Sequence, residues 1–219
     1  MDTARLAEAC TALALFPLPG VTLMPGSLLP LHVFEPRYRA LVADCLAHDA
    51  PLCVPQLRAD DVRDRLGRPA YHPYASVGVI AAHHKTEDGR YNILLQPLAR
   101  VRLVEEPLSD QPYRMARAVV LHDLPVPGDA LERAGEDVRA LLLPLVARMG
   151  APGEGLEKSV RALPAVRVCD AVAAFVLRDA EARQQFLAQD DPLLRARTVR
   201  EATLTLLAEG AGAPTVAEA

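Results

Sequence analysis

The side chains of this 219-residue chain that could do chemistry are a few histidines, four cysteines and a set of arginines. His72, His83 and His84 lie close in sequence, as metal ligands often do. Adjacent residues on a strand point to opposite faces, however, so His83 and His84 do not chelate one ion, and neither H-E-x-x-H nor a paired C-x-x-C occurs. The expectation is no metal and no cofactor. Cys45 beside a histidine would make a nucleophile pair, but it falls on the apolar stripe of a helix, where a thiol is buried and inert. Cys10, Cys45, Cys53 and Cys169 read as small buried residues of a protein kept in a reducing cytoplasm. No catalytic residue is assigned.

Two charged groupings are candidates for binding. In the segment His32-Val33-Phe34-Glu35-Pro36-Arg37-Tyr38-Arg39, the residues Phe34, Glu35, Arg37 and Tyr38 suit the rim of a groove that contacts a bound chain. Capping and core spacing already account for the same residue types, and the favoured reading is a helix start, with Tyr38 in the core and the charges pairing around the first turn. Arg100 and Arg102 share one face of a strand, with Arg114 and Arg117 on a neighbouring one. That reads as a solvated face, or as a surface for an acidic or polar partner.

The elements that would position these groups follow from apolar spacing. Leu13 to Leu18 and Leu28 to Phe34 are too short and proline-broken for helices and read as strands. Tyr38, Leu41, Val42, Cys45 and Leu46 then recur at helical spacing, with Pro36 in the first turn and Glu35 at the cap. Leu52 to Leu57 is a further strand, and Arg58 to Pro73 a long charged loop. Ala75 to His83 and Tyr91 to Gln96 flank a turn in which Gly89 supplies the positive φ. Ala99 to Val104 alternates, placing Ala99, Val101 and Leu103 opposite Arg100 and Arg102, and Tyr113 to Leu121 adds one more strand.

After Pro125-Val126-Pro127-Gly128 the period becomes helical. Leu131, Ala134, Val138, Leu141, Leu145 and Met149 form one stripe interrupted by Pro144, which Gly150, Pro152, Gly153 and Gly155 end. Val168, Ala171, Val172, Phe175 and Val176 form a second, followed by helices at Ala180 to Ala188 and Leu193 to Ala208. The tail from Gly210 to Ala219 has little to bury. The fold class is α+β: a closed or nearly closed β-barrel over 11–124 with one embedded helix, leaving few exposed edges, then a helical bundle over 128–209.

The stretches LFPLPGVTLMPGSLLPLHVFEPRYRALVADCL and SVGVIAAHHKTEDGRYNILLQPLARVRLVEE resemble the amino-terminal substrate-binding domain of the Lon protease, which also occurs as stand-alone bacterial proteins. The resemblance implies a PUA-like barrel and a non-catalytic module that recognises unfolded polypeptide or acts as a protein adaptor. Lon joins this domain to an ATPase and a serine-lysine protease. This sequence contains no G-x-x-x-x-G-K-[ST] and no G-x-S-x-G, so the expectation is recognition without the machine.

PUA-type barrels also occur in RNA-modifying proteins, which keeps RNA binding as an alternative, together with a small-molecule enzyme built on an interdomain cleft. A net charge of -4, no Trp and 4% aromatic residues leave little for phosphate contact or base stacking. Ala9 to Phe34 holds no Asp, Glu, Lys or Arg, but its four prolines and two glycines exclude a membrane-spanning helix. Asp2 and Glu8 fall where a signal peptide needs a basic start and an apolar core.

Overall fold

The computed structural model describes residues 2–60, 62–64, 66–149, 157–158 and 160–209, with backbone alone at 147–149. Its chain divides into two compact units, Met1–His122 and Asp123–Ala219.

The first unit opens with a short helix, α1 (Thr3–Ala9), that sequence spacing did not reveal. No residue of α1 is buried, so it carries no apolar stripe to read; the Asp2 carboxylate caps it by accepting the Arg5 N–H at 2.8 Å. The strands are β1 (Leu13–Leu15), β2 (Leu29–Val33), β3 (Leu52–Val54), β4 (Tyr74–Lys85), β5 (Tyr91–Glu105) and β6 (Arg114–Val120), with α2 (Pro36–His48) between β2 and β3. β1 pairs parallel to β3 and antiparallel to β6, β3 with β4, β4 with β5, and β5 with β6. Those five strands close on themselves. β2 stands outside the circuit, paired with the first part of β5, and among the described residues its outer edge has no strand partner.

Two apolar clusters lie on opposite faces of β1. Leu13 and Leu15 join Cys53, Val77, Val101, Leu103 and Ala116. Ala14 joins Phe16, Leu23, Leu52, Val54 and Leu95 with the α2 residues Tyr38, Leu41, Val42 and Cys45. The α2 stripe is thus where its spacing puts it, and Leu41 and Val42 are wholly buried. Pro36 occupies the first turn after Glu35 at the cap, whose side chain makes no capping bond and instead pairs with Arg37 at 2.7 Å. Between β4 and β5, Gly89 has a φ of 79° and closes the turn. The pairing skips Leu98 between Val77 opposite Ala99 and Gly78 opposite Pro97, a bulge that bends β5.

The sequence assignment of Arg100 to a solvated face is wrong. Arg102 is exposed, but Arg100 is only 6% exposed and the residue paired with it, Ser76, is 0% exposed. Alternation tells which face of a strand a residue takes; it does not tell whether that face is covered. Arg114, placed on the same solvated face, is also withdrawn, with its side chain 12% exposed.

The second unit holds α3 (Ala130–Met149), α4 (Ala165–Val176), α5 (Ala180–Ala188) and α6 (Pro192–Ala208) among its described residues. α3, α4 and α6 pack on one another. Gly135 allows this closeness, because any side chain there would run into the Ala165 carbonyl. The buried face of α3 is Val138, Leu142, Leu145 and Val146, one step round from the predicted stripe. On α4, Phe175 is 42% exposed rather than buried, and Cys169 and Ala173 take its place in the core. Asp179 and Asp191 cap α5 and α6. The helix-ending residues Gly150, Pro152, Gly153 and Gly155 and the tail from Gly210 lie outside the described residues.

Candidate functional site

Within the first unit, the long loop before β4, the β5–β6 connection and the start of α2 enclose a groove of about 930 Å³. Two prolines and a glutamate shape it locally. Pro107 and Pro112 remove N–H groups from the β5–β6 connection, so it leaves the ladder and its side chains face the groove. Glu106, the residue after the end of β5, is its hub.

Arg114 holds the Glu106 carboxylate through Nε at 3.1 Å to both oxygens, and its Nη2 reaches Oε1. Arg68 adds Nη2 at 2.9 Å, and the Tyr71 hydroxyl donates to the same carboxylate. The Arg114 guanidinium also lies 4.5 Å over the Tyr71 ring and donates to the Pro69 carbonyl at 2.7 Å. Asp64 accepts from Arg68 Nε at 2.7 Å and from the backbone N–H groups of Leu66 and Arg68, each at 2.9 Å. These bonds fasten the long loop to the barrel.

Burial pushes the Glu106 carboxyl up, but the bonds from Arg114 and Tyr71 prevail and hold it below the usual carboxylate range. For Asp64, burial is likewise outweighed by the Arg68 and Leu66 bonds, leaving it at about 2. Tyr71 and Tyr113 are both pushed up, by burial first and then by Glu106 and Asp44 respectively. The Tyr113 hydroxyl donates to Asp44 at 2.8 Å.

The described lining has three arginines, Arg37, Arg68 and Arg114, and three acids, Asp64, Glu105 and Glu106. Each is paired within the chain: Arg37 with Glu35, Glu105 with Arg117, and the other four with one another. Around them stand bare apolar side chains, Val104 at 55%, Leu66 at 70% and Leu108 fully exposed. Such a surface offers apolar contact and spent charges, and no activated nucleophile or base.

The structure brings two of the six sequence candidates to this groove. Arg37 lines it, lying 4.6 Å over the Tyr38 ring, and Tyr38 lines it too while burying most of its ring 4.3 Å from Phe16. Glu35 borders it only through its pair with Arg37. Phe34 is 54% exposed at the end of β2 and stacks on His32, away from the groove. Arg100 and Arg102 do not line it. Sequence reasoning missed Arg68, Tyr71, Glu106 and the two leucines, whose one local signal was the proline pair at 107 and 112.

Of the histidines weighed as ligands, His83 and His84 face opposite sides of β4, opposite Ile93 and Asn92. Among the described residues no group of three or more His, Cys, Asp or Glu is placed to hold a metal ion. Burial pushes the Cys45 and Cys169 thiols up to about 12.

The family model for the ATP-dependent protease La (LON) substrate-binding domain matches residues 12–203. "Lon protease 1" of Herpetosiphon aurantiacus is 25% identical over 183 residues, which are 81% of this chain and 22% of that protein, so the chain spans under a quarter of the relative's length. The N terminal domain of Mycobacterium avium complex Lon protease superposes with a TM-score of 0.69 at 14% identity, covering 88% of this chain and 98% of that one. The Lon N-terminal domain protein from Xanthomonas campestris gives 0.60 at 23%, covering 86% and 96%. At those identities the two structures establish likeness of fold.

Proposed function

The chain belongs to the Lon substrate-binding domain family, and from that premise we propose that it is a non-catalytic module that binds exposed, unfolded polypeptide in the groove around Glu106. One observation carries the reading: every charged side chain of the described lining is already paired, while Val104, Leu66 and Leu108 are left bare. An extended client would lay apolar side chains against these residues and direct backbone bonds to the rim, with little demand for client charge. Ordering a flexible chain offsets much of the contact energy, so affinity is micromolar or weaker, on the order of 6 to 8 kcal/mol. The four buried free thiols suit a reducing compartment, and the proposal sets the protein in the cytoplasm. Among the described residues no helix is long and apolar enough to cross a membrane.

The test is titration of a labelled denatured protein and of a labelled single-stranded RNA at low and high salt. Client binding that barely weakens with salt, and that falls about tenfold or more in Leu108→Asp, supports the groove. Salt-sensitive RNA binding tighter than client binding would replace this reading with the nucleic-acid one.

A further inference from the structure

Between the β4–β5 turn and one side of α2 lies a hollow of about 330 Å³. Pro36, Arg39, Ala40 and Ala43 recur at helical spacing and face it from α2, beside the buried stripe and not within it. Lys85, Gly89 and Tyr91 close it from the hairpin. The charged side chains of the described lining, Arg39 and Lys85, are both cations.

Neither of them is neutralised within the chain. In the same unit Arg37, Arg68, Arg90, Arg114 and Arg117 each meet a carboxylate. Among the described residues Arg39 has no ion pair or side-chain hydrogen bond, and Lys85 meets only the Tyr91 ring, its Nζ 5.3 Å from the ring centre. The acids of the turn, Glu87 and Asp88, line a different hollow with His32 and His84, and Asp88 is held there by Arg90 at 2.9 Å. Arg39 also stands in the first turn of α2, which contains no acid and where the helix dipole is already positive. The hollow thus concentrates positive potential in a chain whose net charge is -4. Its geometry is set in advance, because Arg39 Nη2 occupies the space that a Cβ on Gly89 would need, which seats the guanidinium against the turn.

We propose that this hollow binds a carboxylate carried on a small apolar body. The Arg39 fork donates two bonds to the carboxylate, the Lys85 ammonium supplies the second charge, and the apolar body lies on Pro36, Ala40 and Ala43. Charge complementarity selects the head group, and the apolar floor selects against an anion with nothing to lay on it, such as inorganic phosphate. So open a hollow covers one side of its ligand, and the dissociation constant is on the order of 1 millimolar. The hollow shares no residue with the groove around Glu106, so this proposal stands or falls apart from the client reading.

Titration of the full chain, followed by heteronuclear NMR at the Gly89 amide, reads the outcome with three probes: N-acetyl-leucine, its neutral counterpart N-acetyl-leucinamide, and inorganic phosphate. The expected result is saturable binding of N-acetyl-leucine, about tenfold or more tighter than either of the others, and weakened about tenfold by Arg39→Gln or by Lys85→Glu. Lys85→Glu alters an exposed side chain and keeps the test valid where Arg39→Gln loosens the turn. A peptide ending in a free leucine carboxylate that binds more tightly than N-acetyl-leucine assigns the hollow to chain ends, and one that binds no more tightly assigns it to small acids. Shifts that do not saturate, an equal response to the leucinamide, phosphate bound as tightly as N-acetyl-leucine, or binding indifferent to both substitutions would each overturn the proposal.

Discussion

Gly78 lies against the Gln96 backbone so closely that a Cβ on it would sit 2.7 Å from the Gln96 carbonyl oxygen and 2.9 Å from Leu23 Cδ2. The oxygen belongs to the strand opposite, beside the bulge at Leu98, and cannot swing aside. Gly78→Ala is expected to cost about 1 to 3 kcal/mol by overpacking. Denaturant unfolding checks this; an unchanged midpoint would mean the strands separate more easily than their pairing suggests.

Leu41, fully buried on α2, anchors the helix to the cluster of Phe16, Val54 and Leu95. Leu41→Ala is expected to destabilise the protein by about 2 to 5 kcal/mol. A loss below about half a kcal/mol in the same unfolding experiment would contradict the packing.

The groove loop is expected to loosen in acid. Asp64 is held at about 2 against an ordinary 3.8, and Glu106 is lowered as well. A carboxyl depressed in the folded state stabilises fully above its unfolded value and loses that contribution as pH falls through the folded one. Protection of the Leu66 and Arg68 amides should therefore be full above about pH 4 and fall toward pH 2. Hydrogen exchange measures it, and protection that stays flat to pH 2 would deny Asp64 its anchoring role.

In the second unit, Arg195 is 4% exposed and grips Asp123 through two bonds of 2.8 and 2.7 Å. Asp170 lies 3.6 Å from its Nε. Removing the buried cation takes two hydrogen bonds from Asp123 and the neighbouring positive charge from Asp170, so Arg195→Ala is expected to cost about 3 to 5 kcal/mol. Calorimetry should show the loss, and a melting temperature within a degree or so of the parent would count against it.

The parts of the fold legible in the sequence are those set by neighbours a few residues apart. Pro36 and the Tyr38, Leu41, Val42, Cys45 spacing mark α2, and Gly89 marks its turn, because dihedral preferences and helical periodicity act locally. The groove was legible only at Arg37 and Tyr38. Its hub joins Arg68, Tyr71, Glu106 and Arg114, residues with no common period, and only chain closure brings them together. Arg100 misled for the converse reason: its strand alternates as expected, but the burial of a face depends on what the rest of the chain lays over it.

The placement of β1 between β3 and β6 has a consequence for how this protein is made. Leu13 pairs with Ala116, roughly a hundred residues later, so during synthesis the earliest strand waits for the last before the ring can shut. Until then the apolar residues Leu13 and Leu15 have only a three-residue parallel partner in β3. The nascent chain thus passes through a stage in which it exposes an unfolded, aliphatic segment of the kind proposed above as the client of the finished groove.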